Sequence, residues 1–124
     1  MLKNIFYPCL DNLKLNDNST FWGQLDSEII TVNQLMINIS SKLLFPEYFG
    51  KNWDALYDCL CDLHWIDKKN IVIIHSQIPK IPVSDLKIYL EILKDACLSW
   101  QNSKDHNLWI VMPETENFFD FNGN

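Results

Sequence analysis

The chain has 124 residues, 48% of them hydrophobic and 13% aromatic, which is enough to bury one sizeable core and too few to be expected to hold two domains. Sixteen acidic against ten basic residues give a formal charge of -6, which argues against direct nucleic-acid binding because phosphate contacts need a basic footprint. No apolar run approaches the roughly eighteen residues of a transmembrane helix, and the start lacks a signal peptide's long apolar stretch, so a cytoplasmic chain without membrane contact is expected.

Residues 1 to 19 mix Ile5, Phe6, Tyr7 and Leu10 with the polar cluster LNDNS and read as an extension or short strand followed by a turn. From Thr20, FWGQL predicts a strand, with a turn at Asp26 and Ser27 and a second short extended piece, EIIT. Val32, Leu35, Met36, Ile39, Leu43 and Leu44 then recur at three and four residues. That spacing predicts a first helix over 32 to 44, with Thr31 or Asn33 as N-cap and Pro46 as its stop. In the connection PEYFG, Gly50 is expected to supply a positive φ, and Asn52 is expected to cap a second helix running to about Leu63.

The run NIVIIHS, 70 to 76, is β-branched and almost continuously apolar, as in a strand buried on both faces. After the rigid connector IPKIP, Ser84 is expected to cap a third helix whose buried stripe is Leu86, Tyr89, Leu90, Leu93, Ala96, Cys97 and Trp100. LWIVM, 108 to 112, predicts the last strand, and the tail ETENFFDFNGN has no period. Strands alternating with helices imply an α/β domain with a small parallel sheet packed against helices.

Cys9, Cys59, Cys61 and Cys97 form no C-x-x-C pair, so packing thiols are expected rather than a zinc or redox site, and no cofactor or metal is implied. His64 and His75 read as structural residues, and with only three glycines the chain has no phosphate-binding loop.

The second helix carries the pattern most in need of explanation. At about 100° per residue, Asp54, Asp58 and Asp62 fall within about 80° of each other, opposite Trp53, Leu56, Leu60 and Leu63, with Tyr57 at the border. Like charges four residues apart destabilise a helix by roughly 0.2–0.5 kcal/mol per pair, and only Asp54 gains from the dipole in the first turn. A solvated polar face explains such a pattern without function. A shared hard cation lacks a further ligand-rich loop, and an acid/base pair lacks a cleft or a nucleophile within reach.

FPEYFGKNWDALYDCLCDL, residues 45 to 63, closely resembles the segment that marks the barstar family of intracellular ribonuclease inhibitors. LDSEIIT, IVIIHS, SDLKIYLEILKDAC and LWIVM follow that family's order of elements, so the resemblance covers about 20 to 113. It implies a three-stranded parallel sheet with helices, in a single domain over 1 to 124 with an extension at 1–19 and a tail at 114–124. It further implies that a non-enzymatic inhibitor blocks the active site of a basic bacterial ribonuclease or ribonuclease toxin domain, as a monomer in a 1:1 complex.

By motif position, Asp58 is the carboxylate that takes the RNA phosphate's place and Asp54 its support, while Tyr48, Gly50 and Asn52 lie on the contacting loop. Tyr57 and Asp62 stand where the family's best-known member has tryptophan and glycine, and Glu91 and Asp95 are candidates for acidic contacts from the last helix. A regulatory module for a basic partner other than a ribonuclease keeps the same fold, because fold does not dictate function. An acidic-site hydrolase is a third reading.

Overall fold

The computed structural model describes residues 17–101 and 106–113. A short 3-10 turn, Asp17–Ser19, leads into β1 (Thr20–Leu25). Then follow α1 (Val32–Lys42), α2 (Trp53–Asp62), β2 (Asn70–His75), α3 (Val83–Trp100) and β3 (Asn107–Val111). The expected readings of the extension before Asp17 and of the tail after Pro113 lie outside the described residues, as does Cys9.

The sheet is parallel throughout, in the order β1-β2-β3, with Trp22 opposite Val72 and Val72 opposite Trp109. The α/β architecture with a small parallel sheet is therefore as the alternation of patterns implies, and its three strands are as the resemblance implies. β2, the central strand, is buried along nearly its whole length, which accounts for its unbroken β-branched run. Ile71 and Ile73 join the main core, and Val72, pointing to the opposite face, is also fully buried.

Against the sheet, α1 packs on β1 and α3 on β3, whereas α2 packs mainly on α3. Leu35, Met36 and Ile39 from α1, Leu56 and Leu60 from α2, and Tyr89, Leu90, Leu93 and Ala96 from α3 close one continuous core. Burying a leucine of this kind contributes roughly 1.5–3 kcal/mol, so Leu56 and Leu60 alone hold α2 firmly on its neighbour. Its opposite face is left to solvent.

Three local expectations need correction, and one is refined. EIIT, extended at Thr31, joins none of the three described strands: the backbone N–H groups of Ile30 and Thr31 donate to Gln34 Oε1 at 2.9 and 3.2 Å, while Thr31 Oγ1 accepts from Gln34 N–H at 3.0 Å. A capping box thus takes donors that a sheet ladder would need. Thr31, rather than Asn33, is the cap.

α1 stops at Lys42, two residues early, because Leu44 adopts φ 58. Phe45 N–H then reaches Ser40 O at 2.9 Å and Leu44 N–H reaches Ser41 O at 3.4 Å, a Schellman closure with leucine where glycine is usual. In the following connection the positive φ belongs to Lys51, at 56°, and not to Gly50. What Gly50 provides is space: a Cβ there would lie 3.1 Å from Asn52 Nδ2. Finally, α3 begins at Val83, with Pro82 rather than Ser84 at the cap position. Its fixed φ of -53° suits a helix start, and its carbonyl accepts from Leu86 N–H at 2.9 Å.

Candidate functional site

Asn52 sets where α2 starts. Its side-chain oxygen accepts from Ala55 N–H at 2.8 Å, satisfying one of the orphan donors of the first turn. Phe49 is buried and meets Phe45 edge-on at a centroid distance of 4.9 Å, and Phe45 in turn meets Trp65 at 5.9 Å. This aromatic cluster anchors the connection between α1 and α2, and Trp65 Nε1–H closes it by donating to Leu43 O at 2.9 Å. Pinned this way, the connection leaves Tyr48 outside, 74% exposed.

On α2, Asp54, Asp58, Asp62 and Tyr57 are all exposed while Leu56, Cys59 and Leu60 are buried, so the helix divides as its wheel predicts. Trp53 lies half-buried against the core with its ring 6.5 Å from that of Tyr89. Among the described residues no lysine comes within 4.0 Å of the Asp54 or Asp58 carboxylate. Asp62 differs: its Oδ1 is 2.9 Å from His64 Nδ1 and accepts the His64 backbone N–H at 3.3 Å. Leu63 makes this possible, because its left-handed conformation (φ 47) ends the helix and turns His64 back over the preceding residue.

Two perturbed groups report the local field. The Tyr57 hydroxyl is held above its ordinary pKa by the Cys61 side chain, first as a hydrogen-bond partner and then as a charge, with lesser contributions from burial, Asp95 and Asp58. The Cys59 thiol is raised by burial first and then by the Asp58 and Asp62 carboxylates above it. Asp95 of α3 thus shares the electrostatic neighbourhood of Tyr57 and Asp58. Glu91, one turn earlier, is exposed and has no comparable described link.

The structure accordingly collects Asp54, Tyr57, Asp58 and Asp62 on one helix face, with Asp95 beside it across the α2–α3 seam. Tyr48, Gly50 and Asn52 are exposed on the segment leading into that helix. The sequence reading missed the seam itself, where Ser99 Oγ donates to Ala96 O at 2.7 Å and lies 3.4 Å from Cys61 Sγ. No group of three or more His, Cys, Asp or Glu side chains among the described residues is placed to hold a metal ion, and no helix among them is long and apolar enough to cross a membrane.

A family model described as Barstar (barnase inhibitor) matches residues 24–113. The chain belongs to the barstar family. The match begins within β1 and runs to Pro113 just beyond β3, so it takes in α1, α2, α3 and the whole α1–α2 connection of this barstar-family fold. None of the curated proteins compared with the chain matches it. At the level of the family, barstar membership means an inhibitor of a barnase-like ribonuclease rather than an enzyme.

Proposed function

We propose that the protein binds and blocks the active site of a basic bacterial ribonuclease, as an immunity protein against a ribonuclease toxin acting in the cytoplasm in a 1:1 complex. The observation that carries this reading is the exposed α2 face of a barstar-family helix, on which Asp54 and Asp58 have no lysine partner among the described residues. A helix held rigidly by Leu56 and Leu60 presents these carboxylates without having to order them on binding.

Asp58 takes the place of the RNA phosphate and accepts charge-assisted hydrogen bonds from the enzyme's cationic groups, which strengthen as water is excluded. Asp54 supports it one turn earlier, and Asp62 extends the acidic face one turn later. Tyr48, Gly50 and Asn52 form the loop side of the contact, and Tyr57 closes the other border. The formal charge of -6 speeds encounter with a basic enzyme and makes association weaken with salt.

Binding of purified variants to the ribonuclease recovered with this protein from its native host tests the reading. Asp58→Ala should cost more than about 2 kcal/mol, a loss of more than about 25-fold in affinity. A change below about 1 kcal/mol shows that the binding surface lies elsewhere, and recovery only of partners without ribonuclease activity rejects the inhibitor role.

A further inference from the structure

Beyond the three aspartates, the C-terminal ends of α2 and α3 meet at a cleft of about 350 Å3, bordered by Asp62, His64, Asp67, Ser99, Trp100 and His106. Resting on the inhibitor reading above, we propose that this cleft seats one arginine side chain of the partner, outside the nuclease active site, and so selects which ribonuclease is bound.

The cleft's charge is the first ground. Asp62 is the last residue of α2 and Trp100 the last of α3, and neither helix has a basic residue in its last turn. Two helix C-termini, each equivalent to roughly half a negative charge, therefore converge beside the Asp62 and Asp67 carboxylates. Both contacts from His64 fall on Oδ1 of Asp62, and no described contact engages Oδ2.

Shape and lining are the second ground. Exposed His106 meets the largely buried Trp100 edge-on with centroids 5.6 Å apart, so the His106 ring with the rim of Trp100 gives the cleft an aromatic wall. A planar guanidinium can stack on such a wall while its several donors reach carboxylate, hydroxyl and carbonyl oxygens; a compact lysine ammonium uses only the charge. The volume stands at the small end of the roughly 300–1,000 Å3 range of ligand pockets, suited to one side chain. A metal ion is not favoured, since no three ligating side chains converge among the described residues. Asp62 belongs both to the cleft and to the acidic face of α2, so a partner covering Asp58 brings its rim within reach.

N-acetyl-arginine amide titrated into the full-length protein, followed by NMR, tests the site without the nuclease. Saturable millimolar binding should shift the amides of Cys61 to Asp67 and of Ser99, Trp100 and His106, and the neutral isostere N-acetyl-citrulline amide should not. Asp62→Asn and Asp67→Asn should each weaken binding by about threefold, the scale of a partly exposed ion pair, while Glu28→Gln, which removes a carboxylate outside the cleft, leaves it unchanged. Equal shifts from citrulline, shifts confined to Asp54 through Asp58, or wild-type affinity in both cleft variants would overturn the site. If Asp58→Ala destroys inhibition but arginine does not bind the cleft, this proposal falls and the inhibitor reading stands. If arginine binds but the partners recovered from the host have no ribonuclease activity, the inhibitor reading falls while the cleft remains an arginine site.

Discussion

Acidification should destabilise this protein through one buried residue, His75. The ring is 2% exposed, with Nδ1 3.0 Å from Val111 O and Nε2 2.6 Å from the Tyr89 hydroxyl. A carbonyl only accepts, so Nδ1 carries the hydrogen and Nε2 accepts from Tyr89, which makes the neutral imidazole the form that fits. Burial lowers the folded pKa from 6.5 to about 4, opposed in part by the Val111 carbonyl, which favours the charged ring.

Because the folded pKa lies below the unfolded one, the unfolded chain binds the proton first as pH falls. The stabilisation is whole above about 6.5 and is lost between there and about 4. A difference of about 2.5 units at 1.36 kcal/mol each amounts to about 3 kcal/mol, a large share of the roughly 5–15 kcal/mol that holds a small domain folded. Urea unfolding across this window isolates the effect when wild type is compared with His75→Gln, which cannot titrate. Wild-type stability should fall relative to the variant by about 3 kcal/mol, and the His75 ring protons should titrate near 4. A constant difference between the two proteins, with a ring midpoint near 6.5, would refute the reasoning.

Asn52→Ala removes the α2 cap and should lower unfolding stability by about 0.5–2 kcal/mol in denaturant titrations, with an unchanged urea slope. Leu44→Gly relieves a left-handed conformation worth about 1–2 kcal/mol and adds about 0.5–1 kcal/mol of unfolded-state entropy, so a net gain of up to about 1.5 kcal/mol in thermal unfolding is expected. As the Leu44 side chain is 60% exposed, little packing is lost to offset it. Gly23→Ala would bring its Cβ to 2.8 Å from Leu43 Cδ2, inside a fully buried contact between β1 and the end of α1. A loss of about 1–3 kcal/mol should appear in the same measurement.

The elements themselves were legible wherever a pattern was local. α2 follows from Asn52, the leucine spacing and the opposite aspartates, and β2 from its β-branched run, because periods of 3.6 and 2 map directly onto one buried face or two. Reading failed where neighbours compete for the same backbone group. Gly50 is the residue free to take a positive φ, but Lys51 takes it; Ser84 offers a capping hydroxyl, but Pro82 holds the cap position. For the candidate site, the shared face of Asp54, Asp58 and Asp62 was visible in the sequence, while Asp95 beside Tyr57 and the cleft between Asp62 and His106 were not. Those groups come from separate segments, and their spacing along the chain carries no trace of their meeting.

Taken alone, the sequence determined the α/β class, the order of elements and the acidic face of α2, since each depends on residues within a few turns of one another. Tertiary structure decided what that face adjoins. Packing α2 mainly on α3 brings two helix C-termini to one end and exposes Tyr57 to the charges of both Asp58 and Asp95, and burying His75 against Tyr89 turns an ordinary histidine into one that resists protonation. Distances and dielectric between remote segments set these properties, and both exist only once the chain is folded.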